Sequence, residues 1–476
     1  MLLQGAPVGL GDLIQEGMQY LPDTPLLAGG LIGAGAVAVG GRMGVRAVTR
    51  TLATRQAKRD GYALPMFVRD ERNVSRYESM GGVLSVPKTG SILALGATRS
   101  GKTETGKHIV SQMQADESEP MIVYDHKEDY QQFFEEIDRE YITLSASGST
   151  ATWNIFEEID NERDADEIAR AIFAEMEQAG GSTGAYFGPA ARQVFAAVLK
   201  YHHREGERTG QDYSNKDLVT FFQSNTPEEA YGVLVGEEDM AGIATYLNPD
   251  DDDEDIWPNV QRQVTDIFTS EFAQEPNEDQ PSISIRRYMQ NPRGTALVLD
   301  YPYREGSTTT PIFRLLIDLA AREALVDQDR GSYFILDEIA QVPKLQRLDE
   351  LVNVGAGRNI QTFVTLQSVA QLRDGYGDEG ASAILSGLTS TILLRSDDPK
   401  SVEYVRSKIG REKEQYTAHV EKANLPRNRQ KTMHRERKPS EEHVFSEADI
   451  NSWRPGEGVL VRPNSWAFGR VKLYDN

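Results

Sequence analysis

The chain has no cysteine at any of its 476 positions. Disulfide staples, thiolate metal sites and cysteine nucleophiles are thereby excluded together. It is also short of positive charge: Lys and Arg number 51 against 73 Asp and Glu, a formal net charge of −22 at pH 7. A deficit of that size argues against a surface that grips phosphate backbones everywhere, although an acidic exterior still leaves room for a local basic channel. Acids are spread throughout and Arg outnumbers Lys, a distribution that suits a salt-adapted surface. Nothing at the amino end resembles a cleavable secretory signal with a basic start. Long apolar runs are scarce as well. The segment from Thr24 to Gly41 carries no charge, yet it is rich in Gly and Ala and barely matches the roughly 17–25 apolar residues a bilayer needs. Asp12, Glu16 and Asp23 precede it and Arg42, Arg46, Arg50, Arg55, Lys58 and Arg59 follow it, so a membrane span over 24–41 would hold everything downstream on the cytoplasmic side. Gly29 and Gly33 would suit helix association there. The competing reading is a weakly apolar tail, and in that case the protein is cytoplasmic or virion-associated.

What is present is organised around Ile92–Val110, ILALGATRSGKTETGKHIV. Gly96, Gly101, Lys102 and Thr103 stand at the G-x-x-x-x-G-K-[ST] spacing of a phosphate-binding loop, after an apolar run and before a helix-compatible one. Glycines let successive backbone N–H groups turn inward around a β-phosphate, the lysine reaches the β- and γ-oxygens, and the Thr103 hydroxyl suits Mg²⁺. Gly96, Thr98, Arg99, Ser100, Gly101, Lys102, Thr103 and Glu104 are therefore the candidate nucleotide contacts. At about 150 residues per domain, the length implies two or three units.

The rest of the chain falls into place around that loop. Residues 60–90 read as a β-rich lead-in, with Met80, Gly81 and Gly82 as turn signals. Met121–Tyr124 is a second apolar run closed by Asp125, His126, Lys127 and Glu128, so strand, helix and strand follow the βαβ order of a parallel sheet. Asp125 and Lys127 either face a nucleotide or a neighbouring subunit, or belong to a solvated loop. From about Asn161 helical spacing takes over, with further helices expected over Asp217–Phe222, Pro227–Val235 and Gln261–Glu271. The acid run Asp250–Asp255 reads as a solvated loop. Ala296–Asp300 resumes the sheet and a helix is expected over Pro311–Val326. Tyr333–Glu338 is a strand ending in two carboxylates, of which Asp337 suits Mg²⁺ and Glu338 suits the polarising of an attacking water. Gln361–Leu366 ends at Gln367, placed either to sense a γ-phosphate or as an ordinary strand-end residue. Arg358, between Gly357 and Asn359, is either a charge supplied across a subunit boundary to the transferring phosphate or a plain surface charge. Residues 411–440 hold Lys422, Arg427, Arg429, Lys431, Arg435, Arg437 and Lys438, a local basic stretch that fits a polynucleotide contact or a disordered loop. Ser390–Leu394 gives one more strand, and Gly456–Val461 with Ala467–Leu473 a final hairpin.

The order GATRSGKT, DHKED, TATWNIF, the helical stretch, FILDEIAQVPKL, GRNIQTFVTLQSVAQLRDGYG and SWRPGEGVLVR resembles the TraG/TraD-like coupling ATPases of conjugation and type IV secretion, within the FtsK/HerA group of RecA-like ring ATPases. The resemblance covers roughly residues 85–476. It implies an α/β, RecA-like P-loop NTPase domain with a mainly parallel central sheet (61–158 and 291–476, ending in the hairpin), an all-α inserted domain (159–290) and an amino-terminal tail (1–60) with the membrane segment. It also implies a hexameric, DNA-translocating motor with ATP and Mg²⁺ bound between subunits, and secretion or virion components as further partners. Lys102 and Thr103 match the phosphate-loop pair, Asp337 the Mg²⁺ carboxylate, Glu338 the catalytic base, Gln367 the sensor glutamine and Arg358 the finger given in trans. Two departures stand out: many relatives begin with two membrane helices, and the second-strand motif commonly has Gly where Glu128 stands. The acid-rich composition suggests a haloarchaeal cell, or a plasmid or virus of one, where the same motor serves DNA transfer, genome packaging or DNA processing. A protein-secretion ATPase and a membrane-bound scaffold that binds nucleotide without turnover are the other readings, while the lack of an L-S-G-G-Q-like segment argues against an ABC transporter.

Overall fold

The computed structural model describes residues 42–113, 118–146, 148–178, 182–237, 239–247, 256–268, 271–301, 306–327, 329–341, 344–421 and 433–474. The segment 24–41, the acid run 250–255 and Lys422, Arg427, Arg429 and Lys431 lie outside the described residues. Among those described, no helix is long and apolar enough to cross a membrane.

The chain enters through α1 (Arg42–Asp60), β1 (Gly61–Arg72), α2 (Arg76–Gly81) and β2 (Val83–Pro87). Next come β3 (Ile92–Leu95), α3 (Lys102–Met113), β4 (Met121–Asp125), α4 (Asp129–Glu136) and β5 (Tyr141–Ser145). A helical segment follows: α5 (Glu162–Gln178), α6 (Ser182–Thr209), α7 (Asn215–Ser224), α8 (Pro227–Val235), α9 (Ala241–Ala244), α10 (Ile256–Ile267) and α11 (Ile285–Gln290). The two-residue strands β6 (Thr152–Trp153) and β7 (Ser282–Ile283) pair in parallel near its two ends. The sheet resumes with β8 (Ala296–Asp300), α12 (Gly306–Val326), β9 (Ser332–Leu336), α13 (Leu348–Asn353), β10 (Ile360–Leu366), α14 (Val369–Gly387, broken at Gly377), β11 (Ser390–Leu394) and α15 (Pro399–Ile409). A ribbon of β12 (Arg411–Glu421) and β13 (Met433–His443) precedes α16 (Glu447–Ser452) and the closing hairpin β14 (Glu457–Arg462) and β15 (Ser465–Val471).

An 11-stranded sheet has the order β2-β1-β15-β14-β11-β3-β10-β9-β4-β8-β5. From β11 to β5 every neighbouring pair is parallel. The hairpin and the lead-in strands extend it as an antiparallel edge. Parallel strands covered on both faces must be apolar on both, which is why these runs do not alternate. Along β3, Leu93 and Leu95 join the core shared with the helical segment, whereas Ile92 and Ala94 join the one shared with α3 and α4. Because β10 separates β3 from β9, the loop after β3 and the acids after β9 flank the end of β10. That end is the carboxyl edge, where open α/β sheets hold ligands.

Several boundaries differ from the sequence expectation for identifiable reasons. Met80 and Gly81 lie in α2, not in a turn. Ser75 and Glu78 form a complete capping box, and Gly82, at φ 64°, is the left-handed residue that ends the helix. Helix α10 starts at Ile256 and ends at Ile267, earlier than the expected 261–271, because Trp257, Val260, Val264 and Ile267 make its buried face. Helix α12 begins at Gly306 and takes Pro311 into its interior. The basic stretch at 411–440 is strand over much of its length: Arg411–Glu421 pairs antiparallel with Met433–His443.

Candidate active site

The turn after β3 is pinned before it curls. Gly96 N donates to Leu366 O (3.1 Å) and Ala97 N to Arg395 O (2.8 Å), so the ends of both flanking strands hold its start. A side chain at Gly96 would place Cβ 2.7 Å from Ser100 Oγ and 3.0 Å from Leu394 Cβ, and Gly101 has φ +109°, so only glycine fits either place. Thr98 and Arg99 are exposed, with Arg99 itself left-handed at φ 60°. Ser100 is buried and its hydroxyl has no hydrogen-bond partner, an orphan of the kind a phosphate oxygen satisfies. Lys102 opens α3, donates from Nζ to Gly96 O at 2.6 Å and lies 3.7 Å from Glu338 Oε2. Burial pulls its pKa below the ordinary lysine value, against the pull of Glu338 and Asp337. Thr103 Oγ1 donates to Asp129 Oδ2 (3.2 Å), and Glu104 Oε2 accepts from Tyr474 N (3.1 Å).

On the far side of β10, the two acids are fixed by one hydroxyl. Thr365 Oγ1 donates to Asp337 Oδ1 (2.7 Å) and accepts from Glu338 N (2.8 Å). Glu338 is left-handed at φ 50°, and its Oε1 accepts from Gln367 N (2.9 Å), so Gln367 contacts Glu338 through its backbone. Burial raises the pKa of both acids. The Thr365 hydroxyl opposes this at Asp337, and the Lys102 ammonium opposes it at Glu338. Lys102, Thr103, Glu104, Asp337 and Glu338 line one cleft of about 720 Å³, together with Lys127.

The DHKED turn resolves into a buried half and an exposed half. Asp125 does not face the cleft: it is wholly buried and its carboxylate accepts from the backbone N–H groups of Lys127, Tyr130 and Gln131. Burial pushes its pKa up to about 6 against those bonds. The turn it builds carries Lys127 to the cleft, with Glu128 left-handed at φ 60°, a conformation that favours glycine. Arg358 is not brought to this cleft. It ends the turn before β10, half-buried, its guanidinium donating to Leu325 O, at the amino edge of a strand whose seven residues span roughly 20 Å.

A divalent ion fits the residues present. Thr103 offers a hydroxyl and Asp337 a buried carboxylate, both hard oxygen donors. Among the described residues no group of three or more His, Cys, Asp or Glu could cage a metal alone, so phosphate and water would complete the shell, as suits Mg²⁺. Thr365 and Asp129 were not singled out from sequence. Asp129 stood in the polar cluster after β4, while Thr365 sits inside an apolar run and carried no signal.

A family model for the type IV secretion-system coupling protein DNA-binding domain matches residues 80–474. No curated protein matches. Among solved structures, the fold is similar to the bacterial conjugative coupling protein TrwBdeltaN70 in its unbound monoclinic form, at 18% identity over 82% of this chain and 86% of that one, TM-score 0.63. It is similar also to plasmid coupling protein TrwB in complex with ADP and Mg²⁺, at 19% identity over 87% and 95%, TM-score 0.62. VirB4 of Thermoanaerobacter pseudethanolicus is 14% identical over 87% and 97%, TM-score 0.50. At these identities the structural likeness is one of fold, an α/β RecA-type domain with a large, mostly parallel sheet. With most of its length matched by the family model, the chain belongs to the type IV secretion-system coupling proteins, of the TraD/TrwB kind.

Proposed function

We propose that this chain hydrolyses ATP to drive DNA through conjugation-like transfer, working as a ring of six identical subunits. The observation that carries the proposal is a convergence: a phosphate-loop lysine and a strand-end glutamate from opposite halves of the chain stand 3.7 Å apart. A pure nucleotide binder needs no such base beside its lysine. The family match to a DNA-binding domain supports the DNA partner, and TrwB has been solved with an ATP analogue and with ADP and Mg²⁺. The span at 24–41, if it enters a bilayer, would tether the motor to the membrane beside the secretion components it serves.

In this reading the loop N–H groups and the Ser100 hydroxyl hold the phosphates, and Lys102 exchanges the Gly96 carbonyl for the β- and γ-oxygens. Thr103 and Asp337 would hold Mg²⁺, which when bound would supply charge screening for the phosphates. Glu338, oriented by the Gln367 N–H, takes a proton from the attacking water. Lys127 adds a second cation to the lining of the cleft. Arg358 reaches the cleft of the adjoining subunit.

Steady-state phosphate release, measured with and without single- and double-stranded DNA in high salt, tests the proposal. Mg²⁺-dependent turnover that rises with DNA is expected. Turnover that ignores DNA but rises with an unfolded protein substrate would transfer the motor to the secretion reading. Thr365→Val, which keeps the shape and removes the hydroxyl, is expected to lower turnover roughly 10–100-fold, because groups that hydrogen-bond to metal-binding side chains and orient them carry effects of that size. Wild-type rates in that variant would show that the two acids need no such brace.

A further inference from the structure

We infer that the cleft contains a separate apolar subsite for the base and ribose of the nucleotide, made by Phe67 and Leu473 and held in place by the carboxyl-terminal segment. This rests on the nucleotide reading above and adds which surface takes the part of the ligand that is not phosphate. Phe67 on β1 and Leu473 just beyond β15 line the same cleft as the loop. They are 58% and 72% exposed, among the few large apolar side chains left open to solvent in the described residues. Phe67 stays that open although Lys472 Nζ already lies 5.1 Å from its ring centroid. Singly exposed apolar residues need no explanation, but two that line the same candidate phosphate-binding cleft offer it apolar surface. The cleft, at about 720 Å³, is sized for a whole small ligand.

The carboxyl-terminal segment is fastened both to the loop and to α3. Gly456 N donates to Ser100 O (2.7 Å) and Val471 N to Gly456 O (2.9 Å), so the hairpin is bonded to the phosphate loop itself. Tyr474 N donates to Glu104 Oε2 (3.1 Å), and His108 Nε2 is 2.9 Å from Lys472 O. The Tyr474 ring packs edge-on against His108 (5.2 Å) and Phe133 (5.3 Å). Glu104, in the first turn of α3, is thereby committed to the wall. Apart from that engaged carboxylate, the wall formed by Phe67, Pro455, Arg470, Lys472 and Leu473 carries no acid or amide to read hydrogen-bonding edges. It fits a flat, stackable, electron-rich group joined to a polyphosphate, which is the description of a nucleobase.

Calorimetric titration of the full chain with ATP and with inorganic tripolyphosphate, both with Mg²⁺, separates the two halves of the ligand. Wild type is expected to bind ATP more tightly than tripolyphosphate. Phe67→Ala and Leu473→Ser should each weaken ATP by roughly tenfold or more, the range seen when a base loses its stacking partner, and leave tripolyphosphate unchanged. Phe67→Trp should keep ATP affinity. Equal affinity of wild type for the two ligands, or ATP affinity untouched by Phe67→Ala, would overturn the subsite, as would a change in oligomeric state with ATP binding kept. Wild type that takes up neither ligand would overturn the nucleotide site itself, and the subsite with it.

Discussion

Glu338→Gln is expected to stop turnover while leaving ATP bound. Loss of a positioned general base costs about 10²–10⁴-fold in rate. The substitution is a clean one here, because the glutamine carbonyl can still accept the Gln367 N–H that Glu338 Oε1 accepts at 2.9 Å. Lys102 loses a neighbouring negative charge at 3.7 Å, which frees it for phosphate, so affinity should hold or rise. The pH dependence follows from burial. Glu338 is raised above its ordinary value of 4.5, with Lys102 only partly offsetting the effect. A base works ionised, so the rate falls as pH falls through that raised value, and this acid limb lies at higher pH than an exposed glutamate would put it. Stability runs the other way: a carboxyl with a raised folded pKa contributes most below its unfolded value and loses that contribution as pH rises through the folded one. Asp337 shares the shift. Phosphate-release rates across pH, beside ATP titrations of the same variant, check both parts; turnover close to wild type would remove Glu338 from the role.

How far the site was legible depended on what each residue has to satisfy. Strands β3, β4, β8, β9, β10 and β11 were readable because burial on two faces leaves unbroken apolar runs, and the polar residue that ends each one is then conspicuous. That is how Asp337, Glu338 and Gln367 came out together. Thr365 did not, since its task comes from register: Val364 pairs with Leu336, which sets Thr365 beside Asp337, and nothing local to either strand states that pairing. The wall at Phe67 and Leu473 was hidden for the same reason at longer range, as Tyr474 and Glu104 meet across 370 positions. Asp125 was ambiguous in sequence because a carboxylate that caps its own turn and one that faces a ligand look alike. The ribbon of β12 and β13 was masked by charge, which broke the alternation that marks a strand.

Arg358→Ala is expected to cost the most, about 10³–10⁵-fold in turnover, the range of an arginine that stabilises transferring phosphate charge. The expectation belongs to the proposed ring and concerns two of its subunits. Arg358 sits at the amino edge of β10 with its guanidinium on Leu325 O, while Gln367 marks the carboxyl edge and the cleft. An arginine at that edge does not reach the cleft of its own chain, so a catalytic effect, in the proposed ring, would be delivered to a neighbour. Mixing Arg358→Ala subunits with Lys102→Ala subunits then becomes informative. Each alone is inactive, but in an equal random mixture roughly a quarter of the head-to-tail interfaces join an intact lysine to an intact arginine and should regain activity. A purely structural Arg358, holding the end of α12, makes different demands: the alanine variant would lose thermal stability, and no mixture would recover the rate. Arg358→Lys divides the two cases further. Lysine can still donate to the Leu325 carbonyl and so would preserve the fold, yet it lacks the planar fork that spans two phosphate oxygens and would leave turnover low.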